Sequence, residues 1–240
     1  MSVESLLAPD ERQRLLAQYA EIAALAGGLA HEVRNPLSTI SLNLQLLAEE
    51  LGTAETPREH RMLQKVAAVQ RDCQRLESIL DEFLRFARLG ELELVDCDLN
   101  LEVREFIEFY HGESQAAGVE ISPHLAPDLP RVRLDKALFR QVLLNLALNA
   151  KQAMPRGGLL EIQTRSRDGR VEVDLIDNGV GMDQGTLDRI FDVFYSTKQG
   201  GSGLGLPTVR RIVHAHGGQI AVESAPGRGT RFTLSFPPTE

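Results

Sequence analysis

Residues 141–154, QVLLNLALNAKQAM, read as a helix that sets Asn145 and Asn149 one turn apart on one face, with Val142, Leu143, Leu146 and Ala150 apolar around them. Neutral amide oxygens in apolar surroundings suit Mg2+ that is already largely neutralised by phosphates and keeps several waters. Further along, DNGVGM at 177–182 follows an apolar strand. It supplies a carboxylate, Asp177, able to accept from an exocyclic amine, beside Gly179 and Gly181, which let the backbone approach a flat base. GSGLGLPT at 201–208 then runs directly into a helix with Pro207 in its first turn, where the missing N–H is harmless and the free N–H groups suit a phosphate. The segment is neither GxGxxG nor GxxxxGK[ST], which excludes the dinucleotide fingerprint and the P-loop at this position. Singly, these segments also read as a capping amide, an acidic turn and a glycine-rich loop; in this order they point to a nucleotide pocket.

Around them the second half of the chain alternates short apolar runs at 93–97, 119–125, 159–165, 171–176, 219–224 and 230–236 with helical patterns at 101–116, 135–154 and 207–216. RDGR at 167–170 is a tight-turn signal between two of the strands. The pattern predicts an α+β two-layer sandwich with helices on one face of a mixed sheet. The first half reads differently. Between 10 and 51, Ile22, Ala26, Leu29, Val33, Leu37, Ile40, Leu44, Leu47 and Leu51 form one stripe spaced by threes and fours. After the turn GTAETPRE at 52–59, Met62, Val66, Val69, Cys73, Leu76, Leu80, Phe83 and Ala87 form a second. An all-α antiparallel hairpin is therefore predicted over 10–90, followed by the sandwich over 91–240. Two helices cannot cover two such stripes, so a homodimer closing a four-helix bundle is expected.

Composition narrows the function classes. The 240 residues carry 26 Lys plus Arg against 34 Asp plus Glu, a formal charge of -8, which disfavours a protein that holds nucleic acid by neutralising phosphates. Cys73 and Cys97 lie far apart, with no CxxC and no clustered histidines, so neither a disulfide framework nor a zinc site is expected, and a reducing compartment fits. No run approaches the roughly 18 apolar residues of a membrane span, and the start lacks a secretion signal, so a cytoplasmic location is expected.

Residues 99–237 closely resemble the ATP-binding domain of sensor histidine kinases, the Bergerat-type fold shared with gyrase and Hsp90. LLNLALNAKQAM (143–154) is similar to the N box, DNGVGM to the first glycine box, IFDVFYSTK (190–198) to the F box and GSGLGL to the second glycine box; HGGQIAVESAPGRGTRFTLSFP (216–237) resembles the closing strand pair. The resemblance implies that Asn149 coordinates Mg2+, Asn145 lies beside the phosphates of ATP, and Asp177 takes the adenine amino group. It implies that Gly179 and Gly181 shape the base pocket and that Gly201, Gly203, Leu204 and Gly205 line the phosphates. Residues 195–200 become a mobile lid, whose Lys198 either contacts the terminal phosphate or is simply solvated.

GGLAHEVRNPLSTISLNLQLL (27–47) resembles the H box of the histidine kinase dimerisation domain through His31, Glu32, Arg34, Asn35 and Pro36. His31 sits off the stripe through Leu29 and Val33, so its ring is expected in solvent, where an imidazole of pKa about 6.5 is a competent nucleophile. The resemblance makes Glu32 the acceptor of the proton on the other ring nitrogen and Asn35, one turn on, the residue that orients water for phosphatase activity. Pro36 is expected to kink the helix. The partner implied is the receiver domain of a response regulator on another chain, with the signal arriving from an upstream sensor domain or a protein bound to the first helix. NPLS and FYSTK are most similar to the nitrogen-regulation subgroup. Three alternatives stay open: a phosphatase-dominant relative, a Bergerat-type ATPase that never labels His31, and a non-catalytic dimeric binding module that keeps the helical stripes without ATP. The remaining histidines, His60, His111, His124, His214 and His216, read as surface or structural, the last two as favourable cations at a helix end.

Overall fold

A computed structural model describes residues 33–52, 56–87, 92–198 and 201–239. The chain divides between Leu89 and Gly90 into two compact units. In the first, a helix over 33–51 (α1) is followed by α2, Pro57–Ala87. TPRE starts α2 with a reciprocal cap: Thr56 Oγ1 accepts the Glu59 N–H at 3.3 Å, and Glu59 Oε2 accepts the Thr56 N–H at 2.9 Å. Pro57 stands at the first helical position, where no N–H is needed. Arg34, early in α1, donates to Asp81 Oδ1, late in α2, at 2.6 Å, as an antiparallel hairpin requires.

Both stripes are half covered. Leu37, Val66 and Cys73 are buried, whereas Val33, Ile40 and Leu47 of α1 and Met62, Val69 and Leu76 of α2 are 40–52% exposed. Buried and exposed members alternate in steps of three and four, so the hairpin covers one flank of each stripe and leaves the other open. The helix before residue 33, the orientation of His31 and the Glu32 carbonyl that Pro36 displaces lie outside the described residues. Pro36 itself stands within continuous helix.

In the second unit five strands run in the order β2 (Val119–Leu125), β4 (Gly158–Arg167), β5 (Arg170–Asp177), β7 (Thr230–Phe236), β6 (Gln219–Ser224). β2 and β4 are parallel and the other pairs antiparallel. The parallel pair needs a crossover, which α4 (Lys136–Ala153) provides. β4 and β5 join through RDGR, where Asp168 and Gly169 take φ of 50° and 70°, a hairpin turn matched to strand twist. Leu160, Ile162, Val173, Leu175, Phe232 and Leu234 are buried on alternate positions of one sheet face. They share the core with Phe106 of α3 (Leu99–Ala116), Phe139, Val142, Leu143 and Leu146 of α4, and Val209, Ile212 and Val213 of α6 (Gly205–Ala215). The opposite positions are polar: Arg165 pairs with Glu172 and Asp174, and Thr233 Oγ1 donates to Asp174 Oδ1 at 2.7 Å.

The structure departs from expectation in four places. The run at 93–97 does not join the mixed sheet; β1 (Val95–Cys97) pairs with β3 (Val132–Leu134) in a separate two-stranded sheet. β3 is too short to display alternation. A four-residue α5, Gln184–Leu187, capped by Asp183, is likewise too short for a periodic signal. α6 begins at Gly205 rather than Pro207, because no N–H of the first turn is needed and proline is tolerated at its third position.

The fourth concerns His216, which is buried rather than a favourable cation. Its Nδ1 lies 2.7 Å from the Ile212 carbonyl, and its Nε2 accepts the Asp135 N–H at 2.9 Å, a pair that suits the neutral tautomer protonated at Nδ1. Burial pushes its pKa below the ordinary 6.5, against the opposing pull of the Ile212 carbonyl and the Asp135 carboxylate. The unfolded chain therefore binds a proton that the folded chain refuses as pH falls below about 6.5, so stability present above that value is lost going down, by at most about 1.4 kcal/mol per pH unit. Urea unfolding followed by circular dichroism between pH 8 and 5 should show this loss and His216→Gln should flatten it; equal slopes in both chains would refute the assignment.

Candidate nucleotide site

α4 is started by Asp135, whose Oδ1 accepts the Leu138 N–H at 3.1 Å. One side of the helix buries Val142, Leu143, Leu146 and Ala150; Asn145, Asn149 and Gln152, spaced by four and three, share another. Asn145 Nδ2 reaches the Gly205 carbonyl at 3.5 Å, a long contact that ties α4 to the start of α6. Lys198 Nζ donates to Asn149 Oδ1 at 3.0 Å and to Gln152 Oε1 at 2.6 Å. Protein packed around this amine pushes its pKa below the ordinary lysine value, with Asp177 pulling the other way. The residue itself is exposed, so Lys198 is both open to solvent and tied by its amine to two amide oxygens of α4.

Asp177 ends β5, in register with Leu160 and Thr230, and is 6% exposed. Its Oδ1 accepts the Gly179 N–H at 2.9 Å. Burial raises its pKa above the ordinary carboxylate value, against the lowering effect of the Gly179 and Thr230 N–H groups and the Lys198 charge. A group whose folded pKa is raised contributes stability at low pH that disappears as pH rises through that value, so the ionised Asp177 is a burden on the fold. Such a carboxylate is a candidate for binding a ligand. The glycines beside it also have a packing reason. A Cβ on Gly179 would stand 2.7 Å from the Ala153 carbonyl oxygen, and one on Gly181 would overlap the Ala225 carbonyl, so they let the loop seat against α4 and the β6–β7 turn.

α3, α4 and α5 each start with an aspartate accepting backbone N–H bonds, whereas α6 starts at Leu204 with no side-chain cap and no acid in its first turn. Its first N–H groups stay free to meet an anion. The glycines before it differ. Gly203, at φ 70°, packs on the Phe194–Tyr195 backbone and its carbonyl accepts the Phe194 N–H at 3.1 Å. A Cβ on Gly201 would meet only the Ser196 side chain within close range, and one on Gly205 nothing within 4 Å. Protein packing does not require glycine at 205. The side chain of Leu204 is buried and its N–H donates to Ser202 Oγ at 3.2 Å, which makes it an anchor for the loop.

Sequence reasoning missed the residues that hold the F-box segment. The Arg189 guanidinium lies 4.1 Å from the Tyr195 ring centre, and Arg210 sits 5.1 Å over Phe191 while donating to its carbonyl at 3.3 Å. Gln152 was missed too, although its spacing from Asn145 and Asn149 was a readable signal. Residues 199 and 200 of the expected lid lie outside the described residues, as do His31 and Glu32. Asn35 is exposed in α1 of the first unit.

Asn149 Oδ1 already accepts from a cation, the Lys198 ammonium, so it fits a metal ligand. Among the described residues no three His, Cys, Asp or Glu side chains gather, so a divalent ion here would bring its other oxygens as phosphates and water. A buried carboxylate, amide oxygens on one helix face and an uncapped helix start together define a nucleotide-binding α+β domain. The family of histidine kinase-, DNA gyrase B- and HSP90-like ATPases matches residues 134–240, and the His Kinase A phospho-acceptor domain matches 21–92.

The chain belongs to the two-component sensor histidine kinases, as a catalytic core. It is 37% identical over 214 residues to the sensor histidine kinase ZraS of Klebsiella oxytoca, covering 89% of this chain and 45% of that protein. It is 35% identical to the histidine-protein kinase AtoS of Escherichia coli, covering 97% and 38%. The chain thus spans less than half the length of these relatives. Among solved structures, full-length ShkA in complex with AMPPNP superposes with a TM-score of 0.69 at 30% identity, covering 90% of this chain and 46% of that one. ThkA in complex with the response regulator protein TrrA gives 0.66 at 27%, covering 96% and 65%. Among the described residues no helix is long and apolar enough to cross a membrane.

Proposed function

We propose that this chain, as a homodimer, uses ATP to phosphorylate His31 and passes the phosphoryl group to an aspartate of a response regulator. The observation that carries this is the nucleotide site joined in one chain to a helical hairpin bearing HEVRNPL, with an open apolar flank on each helix. A gyrase-like ATPase would leave that hairpin without use. The AMPPNP and response-regulator complexes of the two structural relatives agree with it.

In the proposed reaction a ring nitrogen of His31 bonds to the terminal phosphorus as the bond to the leaving oxygen breaks, and ADP departs with that electron pair. Glu32 takes the proton from the other ring nitrogen. Asp177 holds the adenine amine, the first-turn N–H groups of α6 and the Lys198 ammonium meet phosphate oxygens, and Asn149 would hold Mg2+, which supplies charge neutralisation at the phosphates. Asn35, one helical turn from His31, would orient water against a phospho-aspartate, giving phosphatase activity on the same face. HEVRNPL and FYSTK favour the nitrogen-regulation-like subgroup.

Incubation with gamma-labelled ATP and Mg2+ should give an acid-labile, base-stable label on the wild type, none on His31→Gln, and about 100-fold less on Asn149→Ala. ATP turnover without label in the wild type would select the ATPase reading instead. Transfer to a receiver that stalls, with fast loss of phospho-aspartate, would select a phosphatase-dominant enzyme.

A further inference from the structure

Gln152 has no part in the mechanism above, yet it makes the shorter of the two contacts to the Lys198 amine, 2.6 Å against 3.0 Å from Asn149. We propose that Gln152 is the positioning residue for Lys198: it keeps the ammonium anchored beside the phosphates when a phosphate-bound cation takes the Asn149 oxygen. This rests on the ATP reading of the site.

The chemistry follows from what each group can accept. An ammonium has three N–H donors and no acceptor, and two of the three are used here by amide oxygens one helical turn apart on α4. Asn149 Oδ1 cannot keep the ammonium and also ligate a divalent ion without bringing two positive charges together. When the ion takes that oxygen, Lys198 loses Asn149, and Gln152, three residues on, is left as its acceptor on α4. Two N–H groups are then free for terminal phosphate oxygens. A neutral amide suits this task. A carboxylate at 152 would hold the ammonium as an ion pair and repel the phosphate, while an apolar side chain would remove its second acceptor on α4. The backbone of the segment is held separately, by the stacking of Arg189 on Tyr195 and by the Lys198 N–H donating to Ser196 Oγ at 3.1 Å, so the α4 contacts act on the Lys198 amine.

The test is a double-mutant cycle on the full chain with Gln152→Met, Lys198→Met and the pair. Autophosphorylation is measured against ATP concentration with Mg2+, alongside limited acylation of lysines read by mass spectrometry without nucleotide. Gln152→Met is expected to lower kcat about tenfold with KM for ATP changed less than about threefold. The double variant should be no worse than Lys198→Met within about twofold, because Gln152 acts through the lysine. Lys198 should acylate about fivefold faster in Gln152→Met, once the shorter of its two hydrogen bonds is gone and Asn149 alone holds it, with Lys151 unchanged as the internal reference. Additive losses in the cycle, or Lys198 acylating at the wild-type rate, would overturn the proposal. If the wild type forms no phosphohistidine, the kinase reading fails by itself, and the acylation arm still decides the Gln152 contact.

Discussion

Asp177→Asn is expected to weaken ATP binding by about 100-fold or more while leaving the second unit folded. The carboxylate is buried and accepts from Gly179 and Thr230, and burial has raised its pKa, so in the absence of ligand its ionised form gains nothing from being there. The asparagine keeps the size, removes the burdensome charge, and is expected to leave the thermal midpoint unchanged or slightly raised. It fails toward the ligand, because its amide must turn either its NH2 toward the Gly179 N–H or the same NH2 toward the adenine amine, and donor then meets donor. Calorimetry with ATP and thermal unfolding, run on the same samples, separate the two effects. Affinity within about fivefold of wild type would remove Asp177 from the site. A lowered midpoint with binding lost in proportion would make it a structural residue.

The second large effect distinguishes two glycines of one motif. Gly205→Ala introduces a methyl group that meets no protein atom within 4 Å, at the first position of α6, where alanine is the better helix former. The variant should fold at least as well as the wild type and still lose ATP affinity by about tenfold to 100-fold, since the methyl stands where the phosphates would approach the free N–H groups. Gly203→Ala behaves differently. Its φ of 70° is unfavourable to alanine by about 1 kcal/mol, and its Cβ would overlap the Phe194–Tyr195 backbone, which cannot yield as a flexible side chain could. The F-box segment should detach, with faster hydrogen exchange at the Phe194 N–H, which donates to the Gly203 carbonyl. Equal effects from the two substitutions would show that the motif acts only through its flexibility. Full ATP affinity in Gly205→Ala would place the phosphates elsewhere.

Much of the second unit was legible because its signals are local. The strands at 119–125, 219–224 and 230–236 have the bounds expected from alternation, and RDGR forms the turn its residues demand, since Asp168 and Gly169 both take positive φ. β3 and α5 were not legible, being three and four residues long, too short to repeat the pattern that would reveal them. In the site, Asn145, Asn149, Lys198 and Gly205 are drawn together, with Asp177 near enough to act on the Lys198 charge. What the motif reading did not reveal was the packing work of individual members: Leu204 anchors the loop, and Gly179 and Gly181 let one seat closely. Those roles depend on Ser202, Ala153 and Ala225, residues that motif spacing does not connect to them.

By itself the sequence determined the two-part organisation in its periodicities, the helix and strand types, and the nucleotide-binding character of three segments, because each depends on neighbours within a turn or a pleat. Tertiary structure decided the rest. It put β1 against β3, made His216 a neutral bridge between the end of α6 and the start of α4, and set the Lys198 amine on Gln152 as well as Asn149. Each of these joins groups 35 to 81 residues apart. Burial, charge state and hydrogen-bond partner at such positions are properties of the packed chain, and local pattern carries no record of them.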